Sequence, residues 1–531
     1  MIADMHHPGC DEDSTMASHE LVRHWTRFSD TATLPDRDRE TKTLRFLVLA
    51  PIALLTFFFG GARPWIWQSV AGLFFICLGA WLLRHSIPAP AKRLRGFATM
   101  ACALLLVPIA QTIPLPAALL EILSPVRARW TQALLQFGNT SNATISYDLL
   151  TTWTHLVWWL FLVIFAVLLS QALSREAKLP TWLLHFLFVL AGLQAIYGIA
   201  QILLPSLGVL WDTHAATGQA YKGYARGTFI NRNHFAAFLG LLWPVLLAYL
   251  LVLKSPRKME RILGERQRAQ LLLQKKAFGI FSLALVVLAL FFSQSRGGIL
   301  SAMLAFTLLS LFAGLRRKRV ILALTACWII MLGYGAIIGF EGLANRFLQL
   351  DHGMAGRVEM WKDGWKIVQD HPLTGTGMGT YPEASRAYQN AFSPERRADH
   401  AHNDYLETAV ELGLPAACVL IAGIWGLWSW RAVLLWRARK TMDPDRLLLA
   451  AGSLAALGGY MLHGWVEFNN AIPANQLTAV TMAAFHFHIT EQGIGIREGR
   501  KKPSGGGDGS SRRQALARSF QCREEGWTVP A

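Results

Sequence analysis

Apolar stretches of about 17–22 residues, parted by short polar or charged segments, recur along the chain, and stretches of that length are long enough to cross a bilayer as helices. Twelve are read, at 46–61, 65–83, 97–116, 152–172, 181–203, 235–253, 277–294, 298–314, 320–340, 415–435, 447–467 and 473–490. In hydrocarbon every backbone polar group must be bonded within the protein, so such segments are helices. The pattern predicts an all-α polytopic membrane protein with about twelve transmembrane helices. It divides the chain into a polar tail (1–43), spans one to nine (44–340), a long loop (341–414), spans ten to twelve (415–490) and a basic tail (491–531). Two further long outside segments fall near 117–151 and 204–234.

Composition sharpens this picture. Only 16% of the residues are charged, against roughly 25% in soluble domains. The net charge of +17 is not a nucleic-acid patch, because the cations lie in short clusters between spans. With the first tail in the cytoplasm, 37 of the 51 Lys and Arg fall on the inner side and 14 on the outer. That bias predicts both termini inside. Residues 1–43 are too polar for a cleavable signal peptide. Trp65, Trp67, Trp153 and Trp436 fall near span ends, where indole rings favour the headgroup region.

The six cysteines fall in spans or in cytoplasmic tails, so no structural disulfide is expected. His6, His7, Cys10, His19 and His24 match no metal-ligand spacing. No metal and no cofactor is expected. The tail 501–513, with Gly505-Gly506-Gly507, reads as a disordered basic segment able to touch anionic lipid.

An outside segment of the length of 341–414 asks for a role of its own. Val358, Trp361, Trp365 and Val368 recur at helical spacing and predict an amphipathic helix. A second helix is expected over 402–412, stopped by Gly413 and Pro415, with His402 and Asn403 in its first turn. Between them Gly375-Thr376-Gly377-Met378-Gly379 resembles a dinucleotide string, but no strand precedes it. A tight turn is the plain reading; backbone amides lining a phosphate pocket are the alternative.

Four polar clusters converge on the outer boundary: 226–234, 293–298, Gly356-Arg357 with Trp361, and 400–406. Charge at that depth is costly and tends to mark function. Arg296 stands in a very tight turn between spans seven and eight, either snorkelling to lipid phosphate or binding substrate. Arg226 and Arg357 add two guanidiniums of the kind that grip phosphate bidentately. Arg232 reads as a solvated or lipid-facing charge. His402, beside Asn403 and Asp404, suits the role of a base for an alcohol near neutral pH. His400 could pair with it, though no carboxylate or cysteine partner completes a zinc site. The chemistry indicated is displacement at an anionic, pyrophosphate-linked substrate, with fixed cations stabilising the leaving group.

These residues carry a family pattern. The segments RGTFINRNHFAAFL (226–239), SQSRGG (293–298), GRVEMW (356–361), HPLTGTGMGTY (371–381) and HAHNDYLETAVELGLP (400–415) resemble, in that order, the O-antigen ligase and polymerase superfamily of bacterial lipid-linked glycan transferases. The ligase motif of His, Asn/Ser/Gln, nine residues, Gly, two residues and Gly/Thr/Tyr is met at His402, Asn403 and Gly413. Ala416 stands where its last residue is expected.

The resemblance implies a membrane glycosyltransferase fold with a lid-like periplasmic loop, in the bacterial inner membrane. It implies a metal-independent inverting transfer from an undecaprenyl pyrophosphate-linked glycan to a hydroxyl acceptor, lipid A-core or a growing glycan. His402 would be the base or acceptor-positioning residue, Arg226 and Arg296 the pyrophosphate holders and Arg357 a loop partner. Asn231, Asn233, Ser295, Gly377, Tyr381, His400 and Asn403 complete the expected substrate-binding set. A repeat-unit polymerase and a protein oligosaccharyltransferase are alternatives within the superfamily. A secondary transporter is a distant one, since the halves show no internal repeat and mid-span charges are nearly absent.

Overall fold

The computed structural model describes residues 34–83, 92–135, 143–211, 222–253, 265–313, 350–389 and 398–498, with isolated positions between 318 and 329. Sixteen α-helices run through them. They are α1 (Leu34–Phe57), α2 (Pro64–Leu82), α3 (Lys92–Gln111), α4 (Ala117–Leu123), α5 (Pro125–Leu135), α6 (Leu149–Arg175), α7 (Leu179–Leu203) and α8 (Arg232–Val252). Then follow α9 (Glu265–Phe292), α10 (Arg296–Ala313), α11 (Leu350–Asp370), α12 (Tyr381–Ser385), α13 (Asp404–Leu412), α14 (Leu414–Ala438), α15 (Pro444–His463) and α16 (Pro473–Glu498). Among the described residues β structure is limited to two isolated bridges. The chain is an all-α, multi-pass membrane protein.

Eleven of the twelve predicted spans coincide with helices; the ninth, 320–340, lies outside the described residues apart from isolated positions. Among the described residues seven helices, α2, α6, α7, α8, α9, α10 and α14, are long and apolar enough to cross a membrane. The others include α15 and α16, which sit inside the bundle. Asn475, Thr478, Thr481 and His486 of α16 are buried there among protein atoms rather than facing lipid.

The bundle is built around α8, 72% of whose span is buried, whereas α14 buries only 11% and lies at the rim. Close approach comes from small residues on α15. A methyl group on Gly452 would sit 2.8 Å from the Pro244 carbonyl oxygen of α8, and one on Gly459 2.8 Å from the Ser301 oxygen of α10. α15 is thereby wedged between α8 and α10, and the site stands at the N-terminal ends of α8 and α10 and the C-terminal end of α15. Leu73, Ile76, Phe278, Phe281 and Leu300 point outward from the bundle, as lipid-facing side chains do. Trp65, Trp153 and Trp436 are about half exposed at helix ends, but Trp67 is turned inward onto His155 and Trp158.

The segment between α10 and α14 has its own small core, in which Ile367, Val368, Tyr381, Ala384, Ala401, Ala409 and Val410 pack with Ala417 of α14. The predicted stripe is split: Val368 is buried, while Val358 and Trp365 are exposed. The glycine string 375–379 is a tight turn. Its amides are already bonded, Gly375 to the His371 oxygen, Thr376 to Val410, Gly377 to Glu411 and Met378 to the Gln111 side chain. That leaves no amide nest for phosphate. The Gln111 amide also donates to the Thr374 and Glu411 oxygens, both at 2.7 Å, locking the turn onto the end of α3.

Candidate functional site

The site is organised by a residue the sequence reading passed over. Glu467 lies in the loop after α15 and is 1% exposed. Its Oε1 is 2.6 Å from His402 Nδ1. Its Oε2 accepts from the Arg357 guanidinium at 2.8 Å and from Asn233 Nδ2 at 2.5 Å. Three expected site residues, taken from α8, α11 and the segment before α13, therefore meet on one buried carboxylate.

Local structure explains how each arrives. Asn231 caps α8, its side chain accepting from the Asn233 amide at 2.8 Å, which sets Asn233 in the first turn. Asn403 caps α13, accepting from the Tyr405 and Leu406 amides. His402 and Asn403 thus precede the helix rather than forming its first turn, because the capping side chain requires a non-helical backbone at Asn403. His402 itself is left-handed, with φ 50°, a conformation that costs a branched or bulky residue energy and is held by its surroundings. The start of α13 is fastened to the Glu467 loop: the Asp404 amide donates to the Gly464 and Glu467 oxygens at 2.8 and 3.2 Å. The Asn470 amide donates back to Asp404 Oδ1 at 2.9 Å.

An aromatic ring adjoins the carboxylate. Phe468 stacks on His400 at 4.2 Å, and meets His234 and His402 edge-on at 4.4 and 4.6 Å. His400 Nδ1 is 2.7 Å from Glu407 Oε1.

The electrostatics follow. Burial alone would lift the Glu467 carboxyl, but the His402 hydrogen bond and the charges of His402 and Arg357 outweigh it and hold it at about 2. Glu467 is an anion at any working pH. Burial, reinforced by Glu407, raises Glu411 to about 8 and outweighs the Gly379 and Tyr381 amides and the His400 charge that favour its anion. Burial would lower His400, yet Glu407 prevails and its imidazole is raised. His371 is held at about 4 by burial. Its two ring nitrogens are spent on Ser124 and Tyr147, so it is a packing residue.

The two remaining arginines are placed by elements of their own. Arg296 opens α10, and a methyl on the neighbouring Gly297 would lie 2.8 Å from His463 Nε2, so this helix end abuts the Glu467 loop. Arg226 is 2% exposed in the loop before α8. That loop is stapled to α7, the Arg226 amide donating to Gln201 and the Thr228 amide to Gln194. Ser295 accepts from the Gly298 amide. Gly377 lies against Ser146, and Tyr381 is buried in the small outer core; both are away from the Glu467 cluster in their described contacts. Glu467 was findable: an acid at the outer end of a predicted span is costly there and merits a functional question. Phe468 and His463 gave no such signal.

Residues 281–421 match the family model described as O-antigen ligase. The match supports the superfamily resemblance and a glycosyl-transfer enzyme of the ligase or polymerase type, acting on lipid-linked glycan. It contains Arg296, Arg357, His400 and His402, while Arg226, Asn233 and Glu467 lie outside it. No curated protein matches the chain.

Proposed function

With the O-antigen ligase match as premise, we propose that the protein transfers a glycan from undecaprenyl pyrophosphate to lipid A-core at the periplasmic face of the bacterial inner membrane. The observation that carries this reading is the convergence of His402, Arg357 and Asn233 at the outer ends of α8 and α15. A lipid-linked donor lies in the bilayer, so its reacting end reaches the protein at that depth.

In the proposed step His402 accepts the proton of the acceptor hydroxyl as the oxygen attacks the anomeric carbon. The new glycosidic bond forms as the bond to pyrophosphate breaks, with inversion. Negative charge grows on the departing pyrophosphate, and Arg226, Arg296 and Arg357 stabilise it there. Within the described residues His402 Nδ1 is taken by Glu467, which leaves Nε2 as the nitrogen to receive the proton. The outer segment packed over the site acts as a cover against water, a competing acceptor. Asn231, Asn403 and Ser295 serve by capping the elements that carry the chemistry, Asn233 and His400 by bordering it, and Gly377 and Tyr381 by seating the cover.

The test is His402→Ala. Transfer is expected to fall about 10³-fold or more, to a small residual rate, while the protein inserts at normal levels. Normal transfer by that variant overturns the proposed mechanism.

A further inference from the structure

We infer that Glu467 is the positioning residue of the transfer, acting on the acceptor side through His402; the inference rests on the proposed function. Four observations carry it. The carboxylate is almost fully buried yet ionised, a state that burial opposes unless cations and donors surround it. Its two oxygens are divided among the described residues: Oε1 addresses His402, while Oε2 takes Arg357 and Asn233. The His402 backbone sits in the left-handed region, a conformation imposed by the surroundings rather than adopted by default. Finally, the main chain of the same loop holds the start of α13, through the Glu467 and Gly464 oxygens. The loop fixes both the backbone and the ring of His402.

The chemical consequence is specific. A carboxylate that accepts from Nδ1 selects the tautomer with the proton there, leaving the Nε2 lone pair outward. When Nε2 takes the acceptor's proton, the imidazolium forms beside a fixed anion, which stabilises it without moving. This is the orienting role of a carboxylate behind a histidine base. The second oxygen holds Arg357 beside the base, so the cation meant for the leaving group and the base meant for the nucleophile share one anchor. His234, His463 and Asp404 also interact electrostatically with Glu467. The role is not readable from the family-matched segment, since Glu467 lies 46 residues beyond its end.

The experiment uses the full chain in nanodiscs, with undecaprenyl pyrophosphate-linked glycan as donor. The acceptor is lipid A-core, or a second donor glycan if the wild type uses that instead. Glu467→Gln is expected to lower kcat by about 100-fold or more, with acceptor KM changed less than about threefold. Glu467→Asp, which keeps the charge, is expected to recover part of the loss. In the His402→Ala background, adding Glu467→Gln is expected to cost nothing further, because the two act as one unit.

Glu467→Gln with kcat within about threefold of wild type overturns the inference, and so does a further tenfold fall in the double variant. If Glu467→Gln fails to fold, Glu467→Asp decides: it must lower kcat alone and be silent in the His402→Ala background. Full activity of His402→Ala would instead sink the proposed function itself, so the two failures are distinguishable.

Discussion

A lysine at position 296 would keep the charge of Arg296 and lose its planar fork. Since the fork is what engages two phosphate oxygens at once, Arg296→Lys is expected to reduce transfer about tenfold or more, measured as glycan released from the lipid donor. Two buried carboxyls give opposite pH signatures. Glu411 is raised from an ordinary 4.5 to about 8 by burial, so the folded state prefers it protonated. Stability is then lost as pH rises from 4.5 through 8, and Glu411→Gln is expected to flatten that part of a melting-temperature profile. Glu467 is lowered to about 2 despite its burial. Its contribution is full above 4.5 and disappears as pH falls toward 2. Above pH 5 the slope therefore belongs to Glu411 rather than to Glu467.

At the scale of elements, the outer segment depends on one turn fitted to one helix end. Gly375 has φ 64°, and a methyl there would lie 2.3 Å from the Glu411 carbonyl oxygen. Neither the backbone conformation nor the space admits a side chain, so Gly375→Ala is expected to destabilise the segment by about 1–3 kcal/mol. Limited proteolysis of the 370–414 region in nanodiscs would report it. The cap on α13 is a smaller lever. Asn403→Ala is expected to cost about 1 kcal/mol and to lower transfer as well, because the same residue sets the chain direction leaving His402. The helix over 404–412 and its stop at Gly413 were legible from spacing and end signals. Its first residue was not, because the capping geometry depends on where the following amides point. The stripe of α11 was legible as helical, but which of its residues turn inward depends on the elements packed against it.

For the whole molecule, topology and product are both read out in cells. With both termini inside, a single cysteine at position 121, exposed on α4, should label from outside intact cells in a cysteine-free background. One at 441, exposed between α14 and α15, should label only after permeabilisation; the reverse pattern would invert the assignment. Deleting the gene separates the readings of the activity. Bare lipid A-core with long chains held on undecaprenyl indicates ligase, and short single-unit products indicate polymerase. Unchanged profiles of both would point to another acceptor or to transport.

Hydrophobic run length determined the class of this protein without help from the fold, because crossing a bilayer constrains each segment separately. The order of its polar motifs likewise led to a family that residues 281–421 match. Which polar residues meet was decided only in three dimensions. Asn233, Arg357, His402 and Glu467 lie on separate elements spread over more than two hundred residues of sequence. They converge because α8 and α15 approach through small side chains and because the loop after α15 doubles back under α13. The buried anion that joins them is the part no spacing rule reaches. A carboxylate is stable there only once its three donors have been brought to it, and bringing them is the work of tertiary packing.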